Sequence, residues 1–154
     1  MANPLAIYVA SRASIPARAA MWRQLRAQGW PIISSWIDLD DESGLDFGQL
    51  WASIEQEIAH ANGLVLFVRA EDFPLRGALV EVGMALAGGK RVAVVAPDVD
   101  LSAPSFRPLG SWIAHPRSSL QPAWTTPTHG WRLSTLPPTP WSANDTHEEA
   151  ANLV

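Results

Sequence analysis

No cysteine occurs among the 154 residues, so the chain forms no disulfide, no thiolate metal site and no cysteine nucleophile. Basic charge is also scarce. Eleven Lys and Arg face 15 Asp and Glu, for a net charge of -4. A nucleic acid polymer is therefore not an expected partner, because such binders carry a basic patch. No apolar run approaches the ~20 residues that cross a bilayer, and the N-terminus shows no basic segment leading into a long apolar core. The expectation is a cytoplasmic protein with no membrane partner. GxGxxG is missing after the first β-type run and GxxxxGK[ST] is missing throughout, so the usual dinucleotide and P-loop signals are absent. His60, His115, His129 and His147 stand at no metal-ligand spacing. Neither a metal nor a cofactor is expected.

What the chain does have is an apolar share of 47% against a charged share of 17%, the balance of a globular protein. Its length suits one domain with a real core. The organising stretch runs from Gly63 to Pro97. Leu64–Val68 and Val92–Ala96 are continuous apolar runs too short for helices, and they read as strands buried on both faces of a parallel sheet. Between them Leu79, Val82, Gly83, Leu86 and Ala87 share one helical face, closed by Gly88 and Gly89. Upstream, Leu5–Ala10 reads as a strand, Ala17–Gln28 as a helix, Trp30–Trp36 as a strand and about Asp46–Ala61 as a helix. This alternation predicts a flavodoxin- or Rossmann-like doubly wound α/β sheet in a single small domain.

After Pro97 the composition changes. Nine of the 13 prolines lie from there to Pro140, and apolar periodicity fades. Leu109–His115 is the last segment with the makings of an edge strand or helix. The expected division is an α/β domain over 1–116 and a Pro/Trp-rich tail over 117–154. Trp124, Trp131 and Trp141 favour an arm that wraps the domain or a neighbouring subunit over a solvated tail.

Glu81 interrupts the apolar helix just beyond the carboxyl end of the preceding strand, the edge where open α/β sheets bind ligands. Its structural alternative is an exposed residue paired with Arg76 or Lys90. A carboxylate in a first turn would be held ionised by the macrodipole and unpaired amides, ready to attack or stabilise an anomeric carbon. Gly77 would let a ligand approach the backbone, with Arg76 beside it as a substrate contact. Ser11 and Arg12, after the first strand, offer a hydroxyl and a guanidinium to a phosphate or sugar hydroxyl. A second acid, to orient a sugar hydroxyl or protonate a leaving base, would come from Glu71 and Asp72 or from Asp38, Asp40 and Asp41.

Three segments carry a family resemblance: Ile7–Ser11, Ser34–Asp38, and Gly77–Ala87 with Gly88–Val92. Together they resemble the nucleoside 2-deoxyribosyltransferase-like family of N-glycosidic transferases and nucleotide N-glycoside hydrolases, over about residues 5 to 116. The resemblance implies a small flavodoxin-like domain, usually oligomeric, with sites partly completed by a neighbour. It implies Glu81 as nucleophile and Tyr8 as the aromatic hydroxyl that positions it. It implies a sugar-contacting acid in the helix before the third strand, with Glu55, Glu57 and Asp46 as candidates; Trp36 and Asp38, after the second strand, are expected substrate contacts.

The expected activity is cleavage or transfer of the N-glycosidic bond of a nucleoside or nucleoside 5'-monophosphate. Glu81, Tyr8 and Asp72 would be catalytic, and Ser11, Arg12, Trp36, Asp38, Arg76 and Gly77 would bind substrate. The alternatives are a NAD glycohydrolase resembling Toll/interleukin receptor-type domains, and a non-catalytic nucleotide-binding or assembly module.

Overall fold

The computed structural model describes residues 5–39, 44–106 and 111–121. Four parallel strands form one sheet in the order β1 (Ile7–Ala10), β2 (Gly63–Phe67), β3 (Arg91–Val95) and β4 (Ser118–Gln121). The helices are α1 (Pro16–Ala27), α2 (Phe47–His60) and α3 (Gly77–Ala87). The two runs read as doubly buried strands are so: every residue of β2, and Val92 to Val95 of β3, is withdrawn from solvent. The expected α/β architecture with a parallel sheet is what forms.

Helices α1 and α2 start where the chemistry directs. Pro16 opens α1, its fixed φ matching the first helical position and its missing N–H costing nothing there. Gly29, at φ +100°, follows the end of that helix in a conformation open to glycine. Asp46 caps α2, its carboxylate accepting from Gly48 N (2.9 Å) and Gln49 N (3.2 Å).

Three elements differ from expectation. The strand expected over Trp30–Trp36 shrinks to a parallel bridge between Ile7 and Ile32, followed by a 3₁₀ turn over Ser35–Asp38. Side chains end the ladder. Ser34 Oγ accepts Val9 N–H at 2.7 Å and Trp36 Nε1 donates to Val9 O at 2.7 Å, using the groups a longer strand would pair.

The buried face of α3 is also rotated: Ala78, Glu81, Val82 and Ala85 are covered, while Gly83 and Ala87 are exposed. Finally, residues 111–113 of the segment read as an edge strand or helix are helical, and the edge strand lies further on, in the stretch expected to be tail. It is β4, within the Pro/Ser/Thr-rich stretch, where Val92↔Ser118 to Val95↔Gln121 pair in register. Asp40 and Asp41, and the tryptophans at 124, 131 and 141, lie outside the described residues.

The bridge at Ile32 places the chain beyond β1 on one side, while β2 lies on the other. The connections leaving β1 and β2 thus diverge. Sheets of this kind hold their ligands in the crevice outside the carboxyl ends at such a divergence.

Candidate active site

A cavity of about 710 Å³ opens at that crevice. Residues 11–14, which follow β1, form one wall, and residues 74–78, which lead into α3, form another. Phe47 stands at the start of α2 and Glu81 completes the lining. The volume falls within the ~300–1,000 Å³ of small-molecule sites.

Glu81 is 8% exposed, and no cation among the described residues pairs with it. The expected partners are elsewhere: Lys90 donates to Ala59 O at 2.8 Å, and Arg76 lines the cavity. Counting from Gly77, Glu81 is the fifth helical residue, and the first turn of α3 contains no acid. The macrodipole argument therefore does not apply, since its effect fades within the first turn. Burial dominates instead. It pushes the Glu81 carboxyl up to about 8, aided by the negative charge of Glu57 and opposed by the Tyr8 hydroxyl. The group is therefore mostly protonated at neutral pH.

Tyr8 is wholly buried, and its hydroxyl makes no well-formed hydrogen bond among the described residues. It still lies close enough to Glu81 for each to perturb the other. Burial first, then the negative charges of Glu81 and Glu57, drive the phenol far above its ordinary value. Tyr8 is thus an un-ionisable donor beside the carboxyl. Among the helix acids named above, Asp46 is used as the α2 cap and Glu55 is exposed. Glu57 is the one whose charge reaches Glu81, and its carboxylate accepts Ser35 N–H at 3.1–3.2 Å.

Arg12 and Arg76 both line the cavity, as do Ser11 and Gly77. The Ser11 hydroxyl is already engaged, donating to Phe67 O (2.9 Å) and accepting from Trp22 Nε1 (2.9 Å). Only its remaining lone pair faces further partners. A Cβ on Gly77 would meet nothing nearer than Trp51 at 4.0 Å. The protein itself therefore leaves room for a side chain there, and only a ligand would make the glycine necessary.

Besides Tyr8, three expected site residues fall outside the lining. Asp72 is fully buried and salt-bridged to Arg18 at 2.8 Å. Trp36 is packed in the core and bonded to Val9 O. Asp38 pairs with Arg26 at 2.5 and 2.9 Å, which holds its carboxyl below the usual range. Replacing Asp38 by Asn is expected to change stability by less than about 1 kcal/mol, as for an exposed ion pair.

Phe47 was not singled out from sequence. It is 59% exposed at the cavity, and an apolar residue left unburied at a helix start is the only signal that marks it.

No protein-family model matches the chain, and no curated protein matches it. Among solved structures, it is similar to the CMP N-glycosidase BcmB of Clostridium botulinum, with 17% identity and a TM-score of 0.47 over 75% of this chain and 84% of that one. It is also similar to a 2-desoxiribosyltransferase from Leishmania mexicana, with 20% identity and a TM-score of 0.48 over 75% and 77% of the two chains. At these values neither likeness assigns an activity to this chain.

Proposed function

We propose that the protein cleaves the N-glycosidic bond of a nucleoside 5'-monophosphate, with Glu81 as nucleophile. The observation that carries this is a buried carboxyl, with no ion-pair partner among the described residues, sharing one cavity with two guanidiniums. Arg12 and Arg76 suit a phosphate. Glu81 suits a carbon that becomes positive, because a carboxyl poor in local cations gains most from ionising beside developing positive charge.

In the first step Glu81, ionised by loss of its proton to solvent, bonds through one oxygen to C1', and the C1'–N bond breaks. The base leaves with the bonding pair and takes a proton from water in the cavity. In the second step water adds to C1' and gives a proton to the hydroxide left by the first, the ester oxygen departs to restore the carboxylate, and the sugar phosphate is released. Tyr8 keeps Glu81 in orientation throughout, and Phe47 offers a face for the base. A base in place of water would make the same ester a transfer intermediate.

A cleavage panel of ribo- and deoxyribonucleosides, their 5'-monophosphates and NAD, read by free base, tests the proposal. Monophosphates should be the best substrates. Arg12→Ala should lower kcat/KM for them by about 10–100-fold, the effect of one charge-assisted contact, and change nucleosides by no more than about threefold. Absence of base release from every member, with or without an acceptor base, would refute the assignment.

A further inference from the structure

We infer that the buried Arg18–Asp72 pair is a positioning device that sets the direction of Arg12 in the cavity. This rests on the phosphate role given to Arg12 above. Among the described residues, Arg12 is the one cation in the lining whose guanidinium is held by bonds that can be traced onward. Its Nη1 donates to Glu71 O (3.3 Å) and Asp72 O (3.2 Å), and its Nε donates to Ser14 Oγ (3.0 Å). Those two carbonyls belong to the 3₁₀ turn Ala70–Asp72 that follows β2.

That turn is fixed by the Asp72 carboxylate. Oδ2 accepts Arg69 N–H at 2.9 Å, closing the turn on itself. The same carboxylate takes a two-point grip from Arg18, Nε to Oδ2 at 3.1 Å and Nη2 to Oδ1 at 2.8 Å. Arg18 Nη2 also reaches Glu71 Oε1 at 2.6 Å. Arg18 belongs to the first turn of α1, and its guanidinium lies over the Phe67 ring, 5.6 Å from the centroid.

The first turn of α1, just after the loop that carries Arg12, is thus tied to the turn whose carbonyls orient Arg12. The fork geometry makes the tie directional, which a lysine ammonium would not reproduce. Neither Arg18 nor Asp72 lines the cavity. Both are positioning residues.

The test pairs a ligand-free readout with a kinetic one. In the wild-type protein the Arg12 Nε–Hε proton should be slow to exchange by NMR. Asp72→Asn should speed that exchange at least about tenfold. It should also lower the ratio of kcat/KM for a 5'-monophosphate over the matching nucleoside by at least about tenfold. Combined with Arg12→Ala it should lower that ratio no further than Arg12→Ala alone, the mark of one shared effect.

A merely structural role would weaken both substrates alike and add to Arg12→Ala. Should Asp72→Asn leave Arg18 too poorly paired a buried charge for the protein to fold, Arg18→Met with Asp72→Asn removes both charges and keeps an oxygen for Arg69 N–H. It predicts the same losses.

Unchanged Arg12 exchange, or a retained monophosphate ratio despite faster exchange, would overturn the inference. Faster exchange in a protein that never preferred monophosphates would keep the positioning role and remove the ligand assignment instead.

Discussion

Glu81→Gln is expected to lower kcat/KM for base release by at least about 10³-fold, while substrate affinity stays within a few-fold of wild type. The amide matches the carboxyl in shape, so the cavity and the Tyr8 contact survive. It has no charge to form an ester at C1' or to balance an oxocarbenium-like centre. Binding should survive because the groups assigned to the phosphate and base, Arg12, Arg76 and Phe47, are separate from Glu81. Trapping should also discriminate. A slow substrate should add the mass of its sugar phosphate to the wild-type protein, and a peptide map should place the adduct on Glu81. Unchanged turnover in the amide variant would remove Glu81 from the chemistry.

The central β2–α3–β3 unit was readable because its strands are buried on both faces and appear as unbroken apolar runs. Glu81 stood out against the same background. What was not legible were the places where a side chain replaces the backbone. Ser34 and Trp36 take over the hydrogen bonds of Val9 and stop a strand that the β-type composition of 30–36 predicts.

The pairing of Asp72 and Asp38 with arginines was hidden for a related reason. An acid in a loop after a strand reads the same whether it faces a ligand or an arginine. Only the fold reveals that Arg18 and Arg26 take them. The face of α3 was misread because Ala78 and Ala85 give little apolar signal, whereas Gly83 and Ala87, equally small, face outwards. The edge strand β4 was hidden in Ser118–Gln121, where one leucine is the sole strong apolar residue and is itself half exposed. Only pairing with β3 makes that segment a strand.

Burial of Glu81 should also make the protein less stable as pH rises through neutrality. Its carboxyl sits at about 8 in the folded state against an ordinary value of 4.5. Below about 4.5 both folded and unfolded chains hold the proton, and the group contributes its full stability. Between the two values only the folded chain holds it, so stability falls with rising pH. Above about 8 the loss is complete.

At 1.36 kcal/mol per unit the whole window amounts to roughly 4–5 kcal/mol, an upper figure for a group this buried. Gln at the position does not titrate. Urea unfolding at pH 5 and pH 9 should therefore show Glu81→Gln gaining on the wild type by several kcal/mol. Asp38, Asp98 and Asp100, whose values are lowered, act with the opposite sign at acid pH and cancel between the two proteins.

The same ionisation governs the nucleophile. kcat/KM reports the free protein, so it should rise with pH to a plateau above about 8. Measured above pH ~6.5, where a monophosphate has largely completed its second ionisation, the rise belongs to the protein. A carboxyl that donates a proton to the departing base would give the reverse, a fall through about 8. A flat profile, with no stability gain in the amide variant, would mean that Glu81 is ionised in the empty cavity despite its burial. The direction of the rate profile therefore decides between attack and protonation, and the unfolding series reads the pKa on which both depend.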